Sequence, residues 1–218
     1  MQKMKIGVMM SLGNNVREEI AKVRELGLSS CQLNCWAPQY YTDEIAKAVL
    51  DATKEYGVEI SSLWTGYSGP AVWNFIDGPV TIGLVPTQYR EQRVKDLCAG
   101  AEFAAKIKVP STSTHAGFIP ECPKDPEYVG TIDALRVVAQ KCKSLGLDFC
   151  FETGQETPVT LVRAMNDIGT DNLGVNLDPA NLEFLETALS RFEGAILVIS
   201  HDLTFLKGIG VTGELRLE

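Results

Sequence analysis

Histidine and carboxylate side chains end four segments whose residue patterns predict strands. His115, Glu152, Asp178 and His201 stand at these ends, and Glu156 follows closely after Glu152. Polar groups that end buried strands are costly unless they are paired or liganded. Carboxylates and imidazoles together suit a divalent metal. These residues therefore predict a divalent-metal site.

Each of these residues also has a simpler structural explanation. Glu152 could cap a helix or face solvent, and Asp178 could cap the helix that follows it. His115 could be a hydrogen-bonded residue at the rim of the sheet. Functional side chains of a parallel barrel lie at the C-terminal ends of its strands. Their shared occurrence at equivalent strand ends therefore favours one common site.

Strand and helix patterns alternate from one end of the chain to the other. Strands are predicted at residues 5–10, 30–35, 59–65, 111–115, 148–153, 173–178, 195–199 and 213–217. Helices are predicted at residues 16–26, 42–56, 89–106, 125–145, 158–168, 182–192 and 203–208. The connections suit right-handed parallel crossovers. The fold class is therefore α/β, either a compact parallel (β/α)8 barrel that lacks its final helix or a partly open α/β hybrid sheet.

Composition limits the class of protein. The length of 218 residues predicts a single α/β domain, residues 1–218, and the net charge of −8 disfavours nucleic-acid and anionic-membrane partners. No apolar stretch approaches the ~20 residues that a membrane helix needs, and no targeting signal is recognised. Six cysteines without a Cys-x-x-Cys pair predict reduced thiols. We therefore expect a soluble cytoplasmic protein.

Four stretches carry a resemblance to a known family: "KIGVMMSLG", "STSTHAGFIP", "CFETGQETP" and "GVNLDPANL". Through them, residues 1 to about 181 resemble the sugar phosphate isomerase/epimerase family, the xylose isomerase-like TIM barrels. The resemblance implies that Glu152 and Asp178 are two of four ligands of a divalent metal (Mn, Co, Zn or Mg), and that Glu152 is also a catalytic acid/base carboxylate. It implies that His115 contacts the sugar substrate, and we assign Glu156 and Trp64 to the same substrate-binding site.

The resemblance changes after Asn181. Residues 182–218, which include "VISHD", are similar to the C-terminal part of an ABC-type ATPase nucleotide-binding domain. The phosphate loop Gly-x-x-x-x-Gly-Lys-Ser/Thr and the Leu-Ser-Gly-Gly signature are absent from the sequence, so we assign no nucleotide-binding residue and expect no ATP. The two resemblances meet at a strand-to-helix step that both families share. Such a junction predicts an engineered chimera, and the alternative is a natural truncation with a frameshifted tail. Lys108, where many such barrels have glycine, is either a second sign of editing or a solvated cation at a helix end.

Three functions are compatible with this sequence. The first is an engineered hybrid scaffold without efficient catalysis, because the segment after residue 181 was not selected for sugar chemistry. The second is a divalent-metal-dependent ketose or sugar phosphate isomerase or epimerase, with His201 as the third metal ligand. The third is a remnant nucleotide-binding module, which the missing phosphate loop disfavours. The missing final helix would leave an apolar groove, which predicts self-association.

Overall fold

Strands and helices alternate in the computed structural model, which describes residues 5–73, 76–154 and 156–178. The strands are β1 (Gly7–Ser11), β2 (Ser30–Cys35), β3 (Glu59–Thr65), β4 (Ser111–Thr114), β5 (Asp148–Glu152) and β6 (Leu173–Asn176). The α-helices are α1 (Val16–Glu25), α2 (Asp43–Tyr56), α3 (Thr87–Lys106), α4 (Pro126–Ser144) and α5 (Pro158–Ile168). Short 3₁₀ turns occur at Pro38–Tyr40 and Gly78–Val80.

All six described strands form one parallel sheet, in which each strand pairs with the next strand of the chain. A helix connects each pair of neighbouring strands. This is the arrangement of the first six units of a (β/α)8 barrel, so the predicted α/β, TIM-barrel-like class is confirmed. The predicted strands at 195–199 and 213–217, and the helices at 182–192 and 203–208, lie outside the described residues. Closure of the barrel by eight strands therefore stays a prediction.

The sheet curves as a barrel wall does. The Gln32 side-chain amide in β2 donates a hydrogen bond to Ser113 Oγ in β4, at 3.2 Å, across the intervening strand β3. Side chains of non-neighbouring strands can meet in this way only on the concave face of a curved sheet. On the other face, Leu33, Phe149 and Phe151 belong to the buried core that the sheet shares with the helices. The concave face therefore carries Gln32 and Ser113, and the core that the sheet shares with the helices lies on the convex side.

Capping residues explain where two of the helices begin and end. The Thr42 side chain accepts a hydrogen bond from the Ile45 N–H at 3.3 Å at the start of α2, and Gly57 in the left-handed conformation ends that helix. Thr157 caps α5 in the same way, and Gly169 ends it. These signals can be read in the sequence, and the predicted end of α2 and both predicted ends of α5 agree with the structure.

Lys108 adopts a backbone conformation that favours glycine. It lies between α3 and β4, is exposed, and has φ of 60°. Gly57 and Gly169 occupy comparable helix-to-strand turns with φ of 62° and 72°. A side chain in this region strains the backbone, because its Cβ crowds the following carbonyl oxygen.

Two further observations concern the class of protein. None of the helices that the structure describes is long and apolar enough to cross a membrane. The six cysteines are all free, and three of them, Cys31, Cys35 and Cys142, are buried.

Candidate active site

Glu152 and Asp178 come together at the C-terminal edge of the sheet. Glu152 is the last residue of β5 and lies opposite Asn176, the last residue of β6. The Asn176 side-chain amide donates a hydrogen bond to the Glu152 carboxylate. The Asp178 N–H donates to Thr153 Oγ1 at 2.8 Å, which holds the chain after β6 against the chain after β5. Two residues that the sequence placed on neighbouring strand ends are thus adjacent.

Burial dominates the electrostatics of Glu152. Removal from water raises the pKa of its carboxyl group to about 7, and the neighbouring Asp178 carboxylate acts in the same direction. Hydrogen bonds from the Asn176 amide and the Trp64 indole act against these effects. A carboxyl group with a pKa near neutrality can both accept and return a proton at physiological pH.

Glu156 is a second buried carboxyl group close to the same edge. Burial raises its pKa to about 7, against hydrogen bonds from its own backbone N–H and that of Gly154. Its Oε2 atom has no hydrogen-bond partner within the described part of the chain. A buried carboxyl oxygen without a partner is costly, so this atom is suited to receive a donor from a bound molecule.

His115 follows β4 and is almost fully buried, with 2% of its surface exposed. Its Nδ1 accepts a hydrogen bond from the Gly117 N–H at 3.1 Å, so the ring proton is on Nε2. Burial lowers the pKa of the imidazole to about 4, which keeps it neutral. Nε2 has no partner among the described atoms and lies so close to Gly154 that a Cβ there would approach it to 2.0 Å. The imidazole therefore offers one unused N–H donor.

Three tryptophans form an aromatic arc beside these groups, consisting of Trp64, Trp36 and Trp73. Trp64 lies near the end of β3, and the Trp36 ring packs on it with centroids 4.6 Å apart. Trp73 meets Trp36 edge to face at 6.0 Å and His115 at 5.1 Å. Only Trp64 was assigned to the site from the sequence. Trp36 directly follows β2, so the strand-end rule that selected Glu152 could also have selected it.

The loop between β3 and α3 carries Trp73 and is held by a buried arginine. The Arg93 guanidinium of α3 donates to the carbonyl oxygens of Ser68 at 3.0 Å, Pro70 at 2.7 Å and Gly83 at 2.6 Å. Its guanidinium carbon lies 4.4 Å from the centroid of the Tyr67 ring. The position of Trp73 therefore depends on a helix residue that sequence reasoning did not select.

The same loop docks directly on the chain after β4. The Leu84 N–H donates to the Ala116 carbonyl oxygen at 2.8 Å, next to His115. Gly83, with φ of 73°, approaches so closely that a Cβ there would lie 1.9 Å from the Ala116 oxygen. Only glycine fits this contact, which fixes the loop against the strand that carries the imidazole.

The two strand-end carboxylates fit part of a metal site. In residues 5–73, 76–154 and 156–178, no three His, Cys, Asp or Glu side chains converge to hold a metal ion. A cation next to Glu152 and Asp178 would offset the burial and mutual repulsion that raise the pKa of Glu152. Their oxygens suit a divalent ion. His201, the predicted third ligand, lies outside the described residues.

The sequence model of the xylose isomerase-like TIM barrel family matches residues 20–197. The chain belongs to this family. The match continues past residue 181, where the sequence predicted that the resemblance to this family ends. No curated protein matches the sequence.

Solved structures share the fold of this family member. A xylose isomerase domain protein from Planctomyces limnophilus is 24% identical with a TM-score of 0.76, over 94% of this chain and 70% of that one. An L-ribulose 3-epimerase is 19% identical with a TM-score of 0.68, over 88% and 67% of the two chains. A D-tagatose 3-epimerase-like protein is 19% identical with a TM-score of 0.64, over 85% and 67%. At these identities the likeness concerns the fold.

Proposed function

We propose that this chain carries the active site of a sugar isomerase or epimerase that moves a proton next to a carbonyl group. The observation that carries the proposal is the placement of Glu152, a half-buried carboxyl at a strand end beside Asp178. The residues around it offer sugar-binding groups: a neutral imidazole N–H on His115 and a carboxyl oxygen on Glu156. Membership of the xylose isomerase-like family supports the same class of reaction.

Glu152 acts as the base in the proposed reaction. Its carboxylate removes the proton from the carbon beside the carbonyl, and the electron pair moves toward the carbonyl oxygen to give an enediolate. Glu152 then returns the proton to the former carbonyl carbon, while the proton of the neighbouring hydroxyl group passes to the former carbonyl oxygen, so that a carbonyl forms on the adjacent carbon and the sugar is isomerised. Epimerisation instead needs a proton delivered to the opposite face, for which no second base is assigned. Asn176 holds the Glu152 carboxylate in place throughout.

A divalent metal belongs to this proposal. Glu152 and Asp178 would hold it together with His201, and Mn²⁺, Co²⁺, Zn²⁺ or Mg²⁺ suits such ligands better than Ca²⁺, which takes six to eight oxygens. When bound, the metal would polarise the substrate carbonyl. Calorimetry with Mn²⁺ should detect weak binding to the intact protein and none to Glu152→Ala. Unchanged binding by the variant would exclude Glu152 as a ligand.

Solvent exchange tests the proton transfer directly. In D₂O with Mn²⁺ and a ketose such as D-fructose or L-ribulose, the protein should introduce deuterium at the carbon next to the carbonyl. Glu152→Gln should lower this rate by about 10²–10⁴-fold, because a positioned acid/base group is lost. Glu91→Gln, on the exposed surface of α3, is the matched control and should exchange at the wild-type rate. Equal rates for Glu152→Gln and wild type would refute the assignment.

The second candidate is an engineered hybrid without efficient catalysis, in which residues 182–218 derive from an ABC-type ATPase. It is supported by the change of sequence motifs after residue 181 and by the strained backbone at Lys108, where a glycine would fit. This candidate predicts metal binding without measurable deuterium exchange, and no binding of ATP in calorimetry because the phosphate loop is missing. Rapid metal-dependent exchange would reject it.

A further inference from the structure

Two buried side chains hold both backbone polar groups of Gly83. The Gly83 N–H donates to the Tyr67 hydroxyl at 2.7 Å, and the Gly83 carbonyl oxygen accepts from the Arg93 guanidinium at 2.6 Å. The central carbon of the guanidinium lies 4.4 Å from the centroid of the Tyr67 ring and 4.7 Å from that of the Tyr89 ring. Because these groups are removed from water, their hydrogen bonds and cation–π contacts fix the position of Gly83 firmly.

Gly83 in turn holds the segment that carries His115. Its α-carbon lies so close to the Ala116 carbonyl oxygen that a side chain at this position would overlap that oxygen. The following residue, Leu84, donates its N–H to the same oxygen at 2.8 Å. A guanidinium on α3 is thus connected to the backbone next to the imidazole through a single glycine.

A second path leads from the same guanidinium to the imidazole through the aromatic arc. The guanidinium donates to the carbonyl oxygens of Ser68 at 3.0 Å and Pro70 at 2.7 Å. One turn further along α3, the Asp96 carboxylate accepts from the Ser68 N–H at 2.7 Å, so Ser68 is also held at both of its backbone polar groups. Trp73 follows in the same loop and meets the His115 ring edge to face at 5.1 Å. The two paths therefore converge on the imidazole.

We propose that Arg93 is a positioning residue, which holds the His115 imidazole and the Trp73 indole in fixed places at the substrate site. This inference rests on the proposed function, because it concerns the same site. Glu152 and Asn176 lie on β5 and β6, outside the loop that Arg93 holds. Loosening this loop should therefore weaken substrate binding and leave the proton-transfer step nearly unchanged.

The kinetics of deuterium exchange separate these two effects. With Mn²⁺ and D-fructose, Arg93→Lys should raise KM about tenfold and change kcat by less than about twofold, because lysine keeps the charge but lacks the planar fork that reaches three carbonyl oxygens. A purely structural defect would lower the folded fraction, and so would lower kcat at an unchanged KM. Tyr67→Phe, which removes only the hydrogen bond from the Gly83 N–H, should raise KM by a smaller factor.

Nuclear magnetic resonance of the histidines tests the positioning without any substrate. The chain has two histidines, so the ring signals of His115 are identified by their loss in His115→Gln. The Trp73 indole lies against this imidazole and shifts its signals through the ring current. In Arg93→Lys the signals should move toward their positions in Trp73→Ala, because the indole no longer lies at a fixed distance from the imidazole.

Val23→Ala is the matched control for lost stability. Val23 is fully buried in the core beside α1, and its truncation leaves a cavity there, whereas the contacts that hold Gly83 and Ser68 come from other elements. Urea unfolding verifies that both Val23→Ala and Arg93→Lys are folded and measures how much stability each has lost. The control should keep the wild-type KM and the wild-type signals of His115.

Two results would overturn the inference: an unchanged KM in Arg93→Lys, or His115 signals in this variant that coincide with those of the wild type. If Arg93→Lys does not fold, Tyr67→Phe takes its place, and the same two results decide. The proposed function can fail separately. Absence of deuterium exchange by the wild type would refute the function, and the His115 signals would then decide alone whether Arg93 positions the imidazole.

Discussion

His115 links the stability of the protein to pH through a single proton. Its ordinary pKa of about 6.5 falls to about 4 in the folded state because the ring is buried. Between these values the unfolded chain binds more protons than the folded one. The stability that neutral His115 contributes is therefore fully present above pH 6.5 and is lost as the pH falls toward 4.

Replacing the imidazole with a group that does not titrate isolates this effect. From pH 7 to pH 4.5 the wild type should lose about 2–3 kcal/mol of unfolding free energy relative to His115→Gln. The raised pKa values of Glu152 and Glu156 act in the opposite direction, but they are present in both proteins. Urea unfolding at pH 7 and at pH 4.5 measures this difference in unfolding free energy. If the unfolding free energy of both proteins changed equally between the two pH values, burial of His115 would not lower its pKa.

Lys108 offers a stabilising substitution. Lys108→Gly should raise the unfolding free energy by about 0.5–1 kcal/mol, because φ of 60° strains any residue with a Cβ. Lys47→Gly, on the exposed surface of α2, should instead lower it by about 1 kcal/mol. Thermal or urea unfolding measures both. A loss of stability in Lys108→Gly similar to that in Lys47→Gly would show that no strain is stored there.

Single residues differ in how far the sequence predicts them. Glu152 and Asp178 were selectable because Glu152 ends β5 and Asp178 follows the end of β6 by two residues, and strand ends meet at one edge of a parallel sheet. Trp73 was not selectable, since it lies in a long loop whose path is fixed by contacts distant in sequence. No local sequence pattern predicts that a residue in this loop will contact the imidazole that follows the next strand.

The loop after β3 is held as one structural unit because the Arg93 guanidinium donates hydrogen bonds to three of its backbone carbonyl oxygens. Arg93→Met leaves three buried carbonyl oxygens without donors and should lower the unfolding free energy by about 3 kcal/mol. The near-ultraviolet circular dichroism of the tryptophans should weaken, because Trp73 lies on this loop. Arg17→Met, which removes an exposed ion pair with Glu55, should cost less than about 1 kcal/mol. Equal losses of unfolding free energy in the two variants would show that the hydrogen bonds from Arg93 do not hold this loop in place.

Helices and strands were predicted well where helix-capping residues and a regular hydrophobic pattern mark their bounds. The bounds of β2, β3 and α5 agree with those read from the sequence, and α2 begins after its capping Thr42. The 3₁₀ turn at Pro38–Tyr40 was missed, because three residues are too few to show a helical period. Periodicity therefore finds long elements, while short turns depend on tertiary contacts.

At the scale of the whole molecule, closure of the barrel by residues 195–199 and 213–217 remains a prediction, as does self-association through the groove beside them. The predicted strand at residues 213–217 carries the charged residues Glu214 and Arg216 and so buries less apolar surface than the others, which predicts that it is the least protected strand. Amide hydrogen exchange should be faster at Leu215 and Leu217 than at Val175 in β6. Equal protection at these positions would contradict this expectation.

The order of strands in the sheet has a consequence for biosynthesis. Each strand from β2 to β6 pairs with the strand that precedes it in the chain. As the nascent polypeptide leaves the ribosome, every new strand meets a partner that has already been made. The sheet can therefore grow one strand–helix unit at a time in the direction of translation, and Asp178 is the last of the described site residues to be made.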